Sequence, residues 1–374
     1  MTVFIDWLKV KQRHSDLEVP DWGETLRLEF DLESGELQQE FVKGAYVDGS
    51  HDTRLYVRCS GGVVEVSGNP SKWGRLENLM GLTTMQACMD VYNAVLASLS
   101  LPLFELKCSA MTIGAQGGDR VRLGPVISQV HLTANLMVGR GGELPYLDWL
   151  SAQTFARSPY DRPRQTTVQA GRLDRRQHQV YAKGPEIRGH ALKWRRVRSP
   201  QKLAEKDQAI AYLERLADWS EQTGVLRSEL KLGRKWFDEN RGYQNPEAWQ
   251  EQTVEQVYRE NQEVETMNAG ALSNYGSEVF ERLVAAGYSE RLAGTMTDKV
   301  SGWLAGQPWD RGLACSTRYK YLKALREHCG LDLRRPCNVR AMATCIKPKV
   351  LEAREMNISD LPDWYRWPDQ REAA

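Results

Sequence analysis

A tyrosine, a lysine, a histidine and a glutamate stand in three short stretches where polar and apolar residues alternate. VISQVHLTANL (126–136) sets Val130, Leu132, Ala134 and Leu136 on one side of a period-2 pattern and Gln129, His131, Thr133 and Asn135 on the other. HQVYAKGPEI (178–187) carries Tyr181 and Lys183, two residues apart and on one face of the strand. GVLRSELKLG (224–233) sets Arg227, Glu229 and Lys231 opposite Leu226, Leu230 and Leu232. If the three strands lie in one sheet, the reactive side chains meet above it. That set suits attack on a phosphodiester. Tyrosine is the nucleophile, a carboxylate or imidazole cluster holds a divalent metal, and lysine meets the developing negative charge.

The charge around Tyr181 points the same way. The whole chain of 374 residues has a formal charge of only +1. Yet from Arg157 to Arg198 there are 12 Lys/Arg against three acids, and from Glu247 to Glu265 six acids against one arginine. Arg172, Arg175 and Arg176 precede the Tyr181 stretch, and Lys193, Arg195, Arg196 and Arg198 follow it. Two basic runs around a nucleophile suit a DNA backbone, bound with salt-dependent affinity. Trp194 among them is suited to stacking on an unpaired base or to packing. STRYKYLKALREH (316–328) interleaves aromatic and basic residues, as a nucleic-acid surface or an amphipathic helix would.

Several classes are excluded. The seven cysteines include no CxxC pair, which argues against a zinc site or disulfide framework and for a reducing cytoplasm. The N-terminus is too short and charged for a signal peptide, and no apolar run approaches 18 residues, so no membrane partner is expected. The glycines near 68–81 lack the Gly-Lys-Ser/Thr of a P-loop.

The elements that must position these residues follow from pattern. Residues 3–9 read as an opening strand, 26–42 as a charged hairpin or an irregular excursion, and 54–68 as a hairpin turning at Ser60-Gly61-Gly62. Met85, Cys88, Met89, Tyr92, Val95 and Leu96 form a helical stripe. Helices are expected over 144–157 and over about 201–221, the latter burying Leu203, Ile210, Leu213, Leu216 and Trp219. Beyond Pro246 only helices are expected, three of them over 270–335.

In chain order, FIDWL, VSGNPSKWGRLENLMG, VISQVHLT, TTVQAGRLDRRQHQVYAKGPEI, VLRSELKL and LPDWYRWP resemble motifs of the filamentous bacteriophage gene II proteins. These are rolling-circle replication initiators, and the resemblance runs along most of the chain. It implies an α+β protein: an antiparallel-sheet, HUH-like endonuclease domain over 1–245, then a small helical DNA-binding domain over 268–374. It implies nicking of a phage or plasmid origin in double-stranded DNA, a 5′-phosphotyrosine link, and later rejoining of the displaced single strand. Tyr181 matches the nucleophile and Lys183 its Tyr-x-Lys partner. Glu186 and Glu229 match family glutamates and, with His131, are the expected ligands of Mg²⁺ or Mn²⁺. His131 departs from the family pattern, which often has Asp there; carboxylate suits Mg²⁺ and imidazole suits Mn²⁺. Arg172, Arg175, Arg176, Lys193, Arg195 and Arg196 are the expected DNA contacts. Host helicase and DNA polymerase are implied partners, the bacterial host cytoplasm the implied location, and Met267 a candidate internal start. Alternatives are a catalytically inactive origin-binding regulator and a plasmid-type initiator or relaxase using the same chemistry. Tyr160 is a candidate second tyrosine.

Overall fold

The computed structural model describes residues 2–14, 19–49, 51, 53–105, 109–112, 120–151, 153–198, 200–262, 275–304, 308–334 and 353–366. Met267 lies outside them. Two compact units interleave along the chain. One holds Thr2–Thr133, Lys231–Tyr258 and Leu361–Ala374, and the other Met1, Ala134–Leu230 and Arg259–Asp360. The class is α+β, as expected.

In the first unit the strands are β1 (Phe4–Arg13), β2 (Thr25–Phe30), β3 (Leu37–Lys43), β4 (Ala45–Asp48), β5 (Arg54–Ser60), β6 (Val63–Gly68), β7 (Ser109–Thr112), β8 (Arg120–Leu123) and most of β9 (Val126–Met137). The order β9-β1-β6-β5-β4 is antiparallel at each step, with β2–β3 and β7–β8 as separate pairs. The turn expected between β5 and β6 is present: Gly61 and Gly62 have φ of +55° and +73°, the left-handed values a two-residue hairpin turn needs. Helix α1 (Met85–Ser98) buries its whole expected stripe, and Thr84 caps it by accepting from Ala87 N at 3.2 Å. The Tyr92 hydroxyl sits 2.6 Å from the Leu8 carbonyl and 3.1 Å from that of Gly68, which seats α1 on β1 and β6. Helix α5 (Arg234–Glu239) and the chain after it add an aromatic cluster of Trp236, Phe237, Tyr243 and Trp249.

The second unit takes the end of β9, helix α2 (Glu143–Ser151), strands β10 (Thr154–Phe155), β11 (Ser158–Pro159), β12 (Asp161–Arg164), β13 (Thr167–Gly171) and β14 (Arg176–Ala182), helices α3 (Lys183–Arg195) and α4 (Pro200–Thr223), and all but the end of β15 (Val225–Leu232). Its sheet runs β12-β13-β14-β15-β9, and the short β16 (Arg354–Glu355) pairs with the end of β9. Between α4 and β15 the chain reverses at Gly224, φ +68°, where a Cβ would lie 2.0 Å from the Gly139 carbonyl oxygen, so only glycine fits. Helix α4 buries Leu213 and Leu216 as expected, but Leu203 in its first turn is half-exposed. Helix α6 (Glu251–Gln262) runs from one unit into the other. Helices α7 (Tyr275–Ala285), α8 (Glu290–Leu304) and α9 (Cys315–Cys329) are the three expected near the C-terminus, and they share a core including Leu283, Met296, Trp303 and Leu325. Among the described residues Cys59, Cys88, Cys315 and Cys329 are unlinked thiols, and no helix is long and apolar enough to cross a membrane.

The strand expected over 178–187 stops at Ala182. Lys183 is the first residue of α3 and not a strand residue sharing a face with Tyr181. Pro185 is the reason: it has no N–H for a ladder but is tolerated in a helix's first turn, where Glu186 also complements the helix dipole.

Candidate active site

Strand β14 alternates as its sequence demands. His178, Val180 and Ala182 are buried on one face, while Gln177, Gln179 and Tyr181 are half-buried on the other. β13 flanks it on one side, with Thr167 opposite Tyr181, and β15 on the other. The Tyr181 hydroxyl donates to Glu229 Oε1 at 2.8 Å. Glu229 thus faces a phenol across the strand pair. Arg227, fully buried on the same face of β15, donates from Nε to Asn135 Oδ1 at 3.3 Å.

The turn into α3 brings Lys183 to the tyrosine by another route than the expected one. Its side chain is fully buried, with Nζ 2.6 Å from Glu186 Oε2 and 6.0 Å from the centre of the Tyr181 ring. The other Glu186 oxygen accepts from His190 Nε2 at 2.7 Å. Burial works against charge on Glu186, but Lys183, the His190 hydrogen bond and Arg227 outweigh it and hold the carboxyl well below its usual range. Glu186 therefore stays ionised and matches the buried lysine, an arrangement that a charge at zero exposure requires. His190 carries no signal in a strand pattern. Its i,i+4 spacing from Glu186 reveals it only once the stretch is recognised as a helix.

On the buried face of β14, His178 joins β15 and the residue between β11 and β12. Its Nδ1 is hydrogen-bonded to the Tyr160 hydroxyl, and its Nε2 lies 2.7 Å from Ser228 Oγ on β15. Burial pushes the imidazole down to about 3, so it is neutral, with one nitrogen accepting and one donating. Tyr160 itself is fully buried, and its hydroxyl is committed to this bond.

In the other unit, His131 lies opposite Trp7 of β1 and stacks on it with ring centres 5.9 Å apart. Its Nε2 is 2.9 Å from the Gln129 amide nitrogen and so is the unprotonated one. Burial and then Lys231 hold His131 well below its usual range, in the neutral form a metal would need. At the bulge beside Trp7, Asp6 accepts from Asn69 at 2.9 Å and Asn78 at 2.6 Å, which ties the 69–82 loop to β1. No periodic pattern marks this cluster in the sequence, since its members come from a bulge and a loop. The C-terminal segment closes the same loop: the Tyr365 hydroxyl takes bonds from Arg75 at 2.9 Å and Met80 N at 3.1 Å. Among the described residues no three His, Cys, Asp or Glu side chains converge as a metal-binding group. Of the expected ligands, Glu186 has both oxygens engaged by Lys183 and His190, and Glu229 holds Tyr181.

The basic residues are on the surface with one exception. Arg172, Arg175, Lys193, Arg195 and Arg196 are exposed, and Arg172 pairs with Asp174 at 2.9 Å and Arg195 with Glu214. Arg176 is half-buried, 5.9 Å over the Phe155 ring. Trp194 is buried and packs rather than stacks on a base. Arg195, Arg196, Arg198 and Lys206 line one basic hollow. A larger cleft of about 620 Å³ is lined by Trp149, Arg157, Arg282, Tyr319, Lys323 and Arg326, among others. Helix α9 contributes to it through its outer face, where Tyr319 is 71% exposed, while Tyr321 and Leu325 on its inner face are core.

Compared with known proteins, residues 4–257 match the Phage CRI family, described as the N-terminal part of a replication-associated protein. The chain is also 27% identical over 332 residues to the replication-associated protein of Escherichia phage If1, a match covering 85% of this chain and 99% of that protein.

Proposed function

Because the chain belongs to the Phage CRI family of replication-associated proteins, we propose that it initiates DNA replication by nicking one strand of a phage origin and later rejoining it. The observation that carries this reading is the Tyr181 hydroxyl, half-exposed on β14, hydrogen-bonded to a carboxylate and backed by a buried lysine. A tyrosine so placed attacks phosphorus and becomes joined to the 5′ phosphate, and the phosphotyrosine bond keeps the energy needed for rejoining. Lys183, with Glu186 and His190 fixing it, supplies positive charge near the ring as the phenol oxygen changes charge.

A divalent cation, Mg²⁺ or Mn²⁺, is part of the proposal. Mg²⁺ is commonly held by one or two carboxylates together with substrate phosphates and waters, so a cage of three protein ligands is not required. Bound with DNA, it would draw negative charge from the scissile phosphate. The exposed cations of α3, and the cleft holding Tyr319 and Lys323, fit the phosphate backbone and unpaired bases of origin DNA. Helicase and polymerase of the host follow from the reaction, which leaves a 3′ hydroxyl and a strand to displace. The strand order around β14 and β15 suits an HUH-like endonuclease sheet.

Supercoiled replicative-form DNA, incubated with the protein and Mg²⁺ or Mn²⁺, is expected to become nicked circle with protein on the 5′ end. Tyr181→Phe is expected to abolish both products. Nicking by that variant would move the nucleophile elsewhere. Intact DNA with binding preserved would leave an origin-binding regulator.

A further inference from the structure

We propose that Glu229 is the proton acceptor for Tyr181, a role separate from metal binding. The assignment rests on the nicking function above and deepens it. Two features support it. The bond runs from the phenol hydroxyl to Glu229 Oε1 at 2.8 Å, within the reach a general base requires. Glu229 is 7% exposed, so water does not compete freely for the proton.

The step balances. Tyr181 Oη forms a bond to phosphorus as the bond from phosphorus to the 3′ oxygen breaks. The phenol proton moves to Glu229, and the departing 3′ oxygen takes a proton from solvent. In rejoining, a 3′ hydroxyl attacks the phosphotyrosine and releases its proton to solvent, while Glu229 returns its own to Tyr181. The hydroxyl donates to Glu229 Oε1, so in the resting site the proton is on the tyrosine, and it moves as the oxygen bonds to phosphorus. The nucleophile is then idle until a phosphate is in line.

The test is single-turnover nicking by the full chain with Glu229→Gln, which keeps the shape of the side chain and removes the basic oxygen. The nicking rate is expected to fall about 10²- to 10⁴-fold, the usual contribution of a positioned base. Placing a fluorinated, more acidic tyrosine at position 181 of that variant is expected to recover much of the loss. A defect of packing alone would not respond to phenol acidity, so recovery also shows that the variant is folded. Nicking by Glu229→Gln at the wild-type rate overturns the assignment. So does a defect that fluorination leaves untouched and added Mn²⁺ repairs, which would make Glu229 a metal ligand. A wild-type chain that leaves DNA intact, or a Tyr181→Phe chain that cuts it, removes the nicking function and this assignment together. Failure of Glu229→Gln to show a defect removes the assignment alone.

Discussion

His178 sits on the face of β14 away from Tyr181, and its state in the folded protein ties stability to acidity. Burial lowers its folded pKa to about 3, whereas an unfolded histidine titrates near 6.5. Below about 6.5 the unfolded chain takes up a proton that the folded chain refuses. Stability due to this residue is therefore complete above that pH and falls by about 1.4 kcal/mol per unit as pH drops toward 3. Urea unfolding at pH 7 and pH 5 should show His178→Gln losing less stability between the two than wild type. Equal losses would mean the imidazole is already protonated in the fold. At this scale the sequence is informative where alternation holds. Tyr181 and Glu229 each lie on the polar side of a clear period-2 pattern, and the structure joins them. It is silent where partners come from distant segments: nothing local to Arg227 announces that Asn135, 92 positions away, will receive it in the core.

Helix α3 carries the lesson of the next scale. A period-2 eye continues the strand through Lys183, but Pro185 and Glu186 are residues of a helix's first turn, and they win. The helix then places Lys183, Glu186 and His190 on successive turns, with Lys183 and Glu186 three apart and Glu186 and His190 four apart, which a strand could not do. Its other end holds the exposed Lys193 and Arg196. If these meet the DNA backbone, Lys193→Ala with Arg196→Ala should weaken binding to all sequences alike. The slope of log affinity against log salt should become shallower by about 1.4–1.8, two phosphate contacts' worth. An unchanged slope in fluorescence anisotropy would remove α3 from the interface. Leu203 shows the opposite limit of pattern reading: the apolar stripe of α4 is buried at Ala209, Leu213, Leu216 and Ala217, but Leu203 before it is 50% exposed.

At the scale of the molecule, both units draw on segments far apart in the chain. The Tyr181–Glu229 bond spans 48 positions, and β16 joins β9 only after residue 354. Pairings of this range form late, because the loop between them must close first. A chain ending at Gly224 lacks β15 and, with it, residues 231–258 of the other unit. It is expected to show no cooperative thermal transition and no covalent DNA adduct; an adduct formed by that fragment would contradict the assembly described. On the proposed function, order of synthesis then becomes a safeguard. The ribosome delivers Tyr181 well before Glu229, so under the proposed function an unfinished or prematurely terminated chain carries the nucleophile without its proton acceptor. Under that proposal DNA near a nascent or truncated copy is spared, and cutting waits for a chain that includes β15.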